Sequence, residues 1–152
     1  LNALAPDRPE TRYGSVVCAT PAPGLRSAAS VGLDPYAQAT HALYVAVNRI
    51  TARTRCCDLS AVGRVGQQTI EAGLGFPPAE GTNDGIVPLS SQPWGEVIHA
   101  TNADHLDVVG HFAGTDLNPP HRDWFASGST FRRPEFDELW GDVARFQLRA
   151  LG

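Results

Sequence analysis

An α/β fold with parallel strands is what this sequence predicts, and three observations carry the prediction. Residues 12–18 (RYGSVVC) and 95–100 (GEVIHA) are short β-branched runs bounded by turn formers, as strands are. Residues 35–53 between them repeat apolar side chains at helical spacing. Two strands joined by a helical crossover of a dozen or more residues pair in parallel.

Each element has its own warrant. Strand 12–18 is closed by Pro21, Pro23 and Gly24. Helix 35–53 places Ala39, Leu43, Ala46, Val47 and Ile50 on one stripe, with Asp34 as N-cap and Pro35 at the first helical position. A weaker helix is expected over 65–72, ended by Gly73 and Gly75 and barred from continuing by Pro77 and Pro78. Strand 95–100 follows. Residues 115–133, rich in Gly, Pro, Asn, Asp and Ser, are expected to form a long loop. In helix 134–151, behind a helix-starting proline, Phe136, Leu139, Trp140, Val143, Phe146 and Leu151 line up, with Leu148 off the stripe. That helix should dock on a sheet. A parallel sheet is covered on both faces and is seldom only two strands wide, so the strand tally implies part of a larger sheet.

Composition narrows the function classes. The 152 residues are 42% apolar and 18% charged, enough for a packed core. The cationic side chains are arginines, 12 against 16 acidic residues, for a net charge of -4, with no basic stripe for phosphate backbones; nucleic acid is not an expected partner. No apolar run approaches the roughly 18 residues of a membrane span, and no charged-then-apolar signal pattern opens the chain. Methionine is absent and the chain opens on Leu1, from which a processed or truncated chain is expected. Of the three cysteines, Cys18 could bridge to either Cys56 or Cys57.

Two segments hold the chemistry. In 81–89 (GTNDGIVPL), Asn83, Asp84 and Gly85 form a turn signature that holds a carboxylate beside backbone donors. In 103–110 (ADHLDVVG), His105 follows the second strand, flanked by Asp104 and Asp107. Both loops should open at the carboxyl ends of the strands, where α/β sheets place functional groups. A carboxylate that accepts from one imidazole nitrogen fixes the tautomer and stabilises the imidazolium formed when the other nitrogen takes a proton. Asp84 is thus the candidate orienter and His105 the candidate general base. A structural turn aspartate and a surface histidine are the alternative.

The stretch TNDGIVPLSSQPWGEVIHATNADHLDVVG resembles the C-terminal catalytic segment of secreted bacterial triacylglycerol lipases of the α/β-hydrolase fold. In those enzymes an N-D-G-hydrophobic-V turn carries the acid and a D/N-H-L-D motif the histidine. RYGSVV with LNALAPDRPETR before it resembles the approach to their penultimate strand. The resemblance covers about half the chain. It implies that residues 1–152 are the C-terminal part of one α/β-hydrolase domain, a partial sheet with flanking helices, in which 18–80 is a helical insertion or cap-like segment. It also implies a lipid or other ester substrate and a secreted, extracellular bacterial protein. Asp84 matches the triad acid and His105 the triad base.

Family order is Ser, then acid, then His, with the nucleophile on a G-x-S-x-G elbow. No such elbow exists here: Ser15, Ser27 and Ser60 have no glycine two residues to either side, and Ser30 has Gly32 after it but Ala28 before it. The expectation is a chain that supplies acid and base, lacks the N-terminal half with the nucleophile, and is inactive alone. A cysteine nucleophile fits the order, but Cys56 and Cys57 lack the small neighbours of a strained elbow. The resemblance also implies calcium at the aspartate two residues past the histidine, here Asp107, with a second ligand upstream where Asp58 lies. One carboxylate does not make a calcium site, so hydrogen bonding to the His loop is the expected role of Asp107 and no cofactor is assigned. Asp104, His105, Asp107 and His111 match no transition-metal spacing. His41 and His99 are expected to be structural, and Trp94, Trp124 and Trp140 to be packing anchors. From a different class, a non-catalytic α/β remnant that binds a partner through an exposed sheet edge is the alternative function.

Overall fold

The computed structural model describes residues 7–54, 59–114 and 117–151. Strands β1 (Gly14–Ala19) and β2 (Glu96–Asn102) pair in parallel, in a register that sets Val17 opposite Ala100, with an irregularity between Ser15 and Val16. Helices α1 (Leu25–Val31), α2 (Pro35–Thr51) and α3 (Arg64–Leu74) lie between them in sequence, and α4 (Arg133–Leu151) follows. Short 3₁₀ turns occupy Leu89–Ser91 and Asp107–Val109. Mixed α/β content and parallel pairing are as expected.

Side-chain alternation along β1 gives the sheet two apolar faces. Val17 and Ala19 pack with Ile70 and Leu74 of α3 and with Leu89. Cys18 packs with Leu139 of α4, Phe112 and Phe131. The pair of strands is therefore sandwiched between α3 and α4, as a parallel sheet requires. Gly73, expected to end this helix, lies inside α3, which closes at Gly75, and there the helix comes so close to β2 that a Cβ would lie 2.0 Å from the Ala100 carbonyl oxygen. His99 of β2 bonds Asp142 of α4 at 2.7 Å, and that imidazole holds the Asp142 carboxyl below the usual carboxylate range.

Helix α1, the facing of α2 and the tryptophans differ from the sequence reading, and the state of Cys18 is one that the sequence leaves open. Helix α1 forms where only punctuation was evident, because Pro23 and Gly24 serve as its approach and cap. Helix α2 stands where the periodicity put it but turned around: Leu43 and Ile50 are 53% and 61% exposed, while the buried residues are Tyr44 and Asn48. Its apolar stripe faces outward because the polar stripe has partners inside. Trp124 and Trp140 anchor less than expected, being largely exposed; Trp124 stacks on His111 at 4.2 Å and Trp140 donates to the Val108 carbonyl at 3.1 Å. Cys18 is a buried free thiol, and Cys56, Cys57 and Asp58 lie outside the described residues.

The chain leaves the sheet at Thr20 and returns at Asn83, whose carbonyl accepts from the Thr20 N–H at 3.3 Å. Of the elements in that excursion, α3 is the crossover helix on the sheet. Helices α1 and α2 are additional to it. The edge of β1 away from β2 is partly closed: the Gln92 amide accepts from the Cys18 N–H and donates to the Cys18 carbonyl, both at 2.8 Å, as a neighbouring strand would. No helix among the described residues is long and apolar enough to cross a membrane.

The close approach at Gly73 is testable. Gly73→Ala should cost about 1–3 kcal/mol in urea unfolding, because the carbonyl it meets is backbone and cannot move aside. Gly63→Ala, with nothing within 4 Å of its added methyl, should stay within about 0.5 kcal/mol of the parent.

Candidate active site

The turn after the excursion is built around one carboxylate. Asp84 is 1% exposed. Its Oδ1 accepts from the N–H groups of Ile86 at 2.8 Å and Val87 at 2.6 Å, and its Oδ2 accepts from His105 Nδ1 at 2.8 Å. The His105 N–H donates to the Asp84 carbonyl at 2.9 Å, so the two loops are joined through backbone as well as side chain. Gly85 has φ +99°, a conformation open to glycine, and a Cβ there would press on the Tyr44 ring at 3.0 Å. The N-D-G order thus has a steric basis.

Charge and exposure divide the pair. A carboxylate can only accept, so Nδ1 carries a proton, and in the neutral imidazole it is then Nε2 that offers the lone pair. The His105 side chain is 39% exposed against 2% for that of Asp84, which leaves the imidazole reachable and its orienter dry. Such a pair can take a proton at Nε2 and hold the resulting cation. Cys18 approaches the same oxygen, its thiol 3.6 Å from Asp84 Oδ2. Burial, and then the negative charge of Asp84, push that thiol well up, so it stays protonated and is unsuited to attack.

His105 rides on a loop tied by two more aspartates. Asp104 Oδ1 accepts from the N–H groups of Leu106 and Asp107 at 2.9 and 3.1 Å, and Asp107 Oδ2 accepts from the Asp104 N–H at 3.2 Å. This reciprocal arrangement works as a capping box does. Asp107 Oδ2 also takes the Ser129 hydroxyl at 2.6 Å. Asp107 therefore has the loop-bonding role expected of it.

Each of these two carboxylates keeps its other oxygen buried and without a partner, Asp104 Oδ2 and Asp107 Oδ1. Together with Asp123 they offer ligand atoms within 4.8 Å of one another. Orphaned carboxylate oxygens in a buried acidic cluster suit a hard cation, which binds oxygen donors. Of the four residues weighed from sequence for a transition metal, Asp104 and Asp107 come together; His105 is committed to Asp84 and His111 to Trp124. Asp123 sits in the irregular segment before α4, and no spacing rule signals it. His41 is structural, its Nδ1 2.6 Å from the Ala126 carbonyl oxygen.

No family model, curated protein or solved structure matches this chain. The site's reading rests on its own geometry.

Without a bound cation the acidic cluster makes stability depend on pH. Burial first, then the neighbouring Asp104 charge, push the Asp107 carboxyl up to about 9 and that of Asp123 up to about 7. The folded chain then holds protons that the unfolded chain releases near pH ~4. In chelator, stability should be full below that pH and decline as pH rises through about 7 and about 9. Asp107→Asn should flatten the upper part of the decline in urea unfolding across that range; an unchanged profile would contradict the assignment.

Proposed function

We propose that this chain supplies the acid and base of a serine carboxylic-ester hydrolase of the α/β-hydrolase type, acting on lipid or other hydrophobic esters. The observation that carries the reading is the 2.8 Å bond from His105 Nδ1 to the buried Oδ2 of Asp84, the one just after β2 and the other in the turn that Asn83 bridges to Thr20 at the end of β1. The acid-then-histidine order of the α/β-hydrolase triad agrees with it. No G-x-S-x-G occurs in the 152 residues, so in this reading the nucleophile comes from a segment outside them.

The chemistry follows from the pair. His105 Nε2 takes the hydroxyl proton as the serine oxygen attacks the ester carbonyl. Asp84 stays ionised and stabilises the imidazolium across the Nδ1 bond. The same imidazolium returns its proton to the departing alkoxide, and a second cycle with water frees the acid. Helices α1 and α2, the part of the excursion beyond the crossover helix, are read as the cap-like segment. Secretion belongs to the same proposal.

Calcium is the cation this reading assigns to the acidic cluster. Asp104, Asp107 and Asp123 would hold it, and it would supply charge compensation that fixes the His105 loop to the segment before α4. Bonding Asp107 toward its own loop is compatible with that role.

Three outcomes test these statements. The chain alone should not turn over a short-chain nitrophenyl ester; turnover lost in His105→Ala would show that the nucleophile is within it. In a gene product that includes an elbow serine, Asp84→Asn should lower kcat by about 10⁴ without loss of folding. Calcium should raise the melting temperature of the chain in a concentration-dependent way, as a ligand of the folded state does, and Asp107→Asn should abolish the rise; no rise in the parent would remove calcium from the proposal.

A further inference from the structure

Helix α2 buries the wrong face for an ordinary packing helix, and the residues it buries converge on the Asp84 turn. Asn48 Nδ2 donates to Asn83 Oδ1 at 2.9 Å and to the Tyr44 hydroxyl at 3.0 Å. Asn83 Nδ2 donates in return to the Asn48 carbonyl at 3.3 Å and to the Gly81 carbonyl at 2.7 Å. The same Asn83 Oδ1 accepts from the Gly85 N–H at 2.7 Å, which closes the turn around Asp84. The Tyr44 hydroxyl is in turn hydrogen-bonded to Thr20, where the chain leaves β1. On the next helical turn, the Thr51 hydroxyl lies within hydrogen-bonding distance of the Gly85 carbonyl at 3.0 Å and the Ile86 carbonyl at 3.3 Å, and of the Val47 carbonyl of its own helix at 3.1 Å.

We infer that Asn48 and Thr51 are positioning residues for the acid: α2 sets the backbone of the 83–86 turn, and through it the Asp84–His105 bond. The inference rests on the reading of Asp84 and His105 as acid and base. Its physical basis is satisfaction. Asn48, Asn83 and Tyr44 are buried, and buried polar groups that lose a partner rearrange or bear the desolvation cost. Asp84 accepts from the N–H groups of residues 86 and 87, so a displaced turn moves both donors off its Oδ1. The carboxylate then rotates away from the imidazole. A helix that served packing alone would bury Leu43 and Ile50 and leave Asn48 in water.

The test is proton and nitrogen magnetic resonance of the His105 ring in the 152-residue chain. A downfield Nδ1–H signal that disappears in Asp84→Asn establishes the pair; its absence in the parent would refute the acid–base reading itself, before α2 enters. Given that signal, Asn48→Ala should broaden or remove it while the far-ultraviolet spectrum and the His99 ring, bonded to Asp142, stay as in the parent. Arg49→Ala, one residue along the exposed side of α2, should leave it unchanged. If Asn48→Ala does not fold, Thr51→Val, which exchanges hydroxyl for methyl at nearly constant volume, should weaken the same signal. A folded Asn48→Ala or Thr51→Val with the parental His105 signal would overturn the inference.

Discussion

At 1% exposure the Asp84 carboxylate has no water to fall back on, and the way its lone pairs are met dictates the chain path around it. One oxygen requires two consecutive N–H groups pointing inward, which the turn after Asn83 provides. The other requires a donor from elsewhere in the chain, which His105 provides. Meeting both demands brings the returning end of the excursion against the end of β2. The pairing of β1 with β2 and the backbone bond from His105 to Asp84 carry the rest of that junction. The burial of this group is offset by its hydrogen bonds.

The acidic trio beside it makes the opposite case. Asp104 and Asp107 spend one oxygen each on the backbone of the His105 loop and leave the other buried without a donor. Two carboxyls in that condition need protons or a cation, and Asp123 adds a third acid to the same pocket of charge. Asp84 bonds the histidine directly, and the trio reaches it through the two members that flank it in sequence, Asp104 and Asp107. One holds the imidazole; the other holds the loop that carries it.

Much of this arrangement is legible in the sequence. Strand runs, turn glycines and the N-D-G and D-H-L-D segments placed the parallel pair, its loops and the Asp84–His105 couple. What sequence hid is specific. The apolar period of α2 found the helix but assigned the wrong face, since hydrophobicity does not register a side chain such as Asn48 that is buried because it is paired. Asp123 reaches Asp104 and Asp107 from an irregular segment, where no repeat links position to direction. Gln92, which imitates a strand at the edge of β1, has no pattern at all. Its presence also weakens the reading of that edge as a free binding surface at Cys18.

In the proposed function, His105, oriented by Asp84, serves a serine outside these residues. The most direct measurement is labelling of the gene product, expressed from its natural start codon, with a fluorophosphonate, followed by mass mapping of the adduct. The expected adduct is on a serine beyond the 152 residues, formed at least about 10³-fold more slowly in His105→Ala. Labelling at an equal rate in that variant, or an adduct on Ser15, Ser27, Ser30 or Ser60, would contradict it.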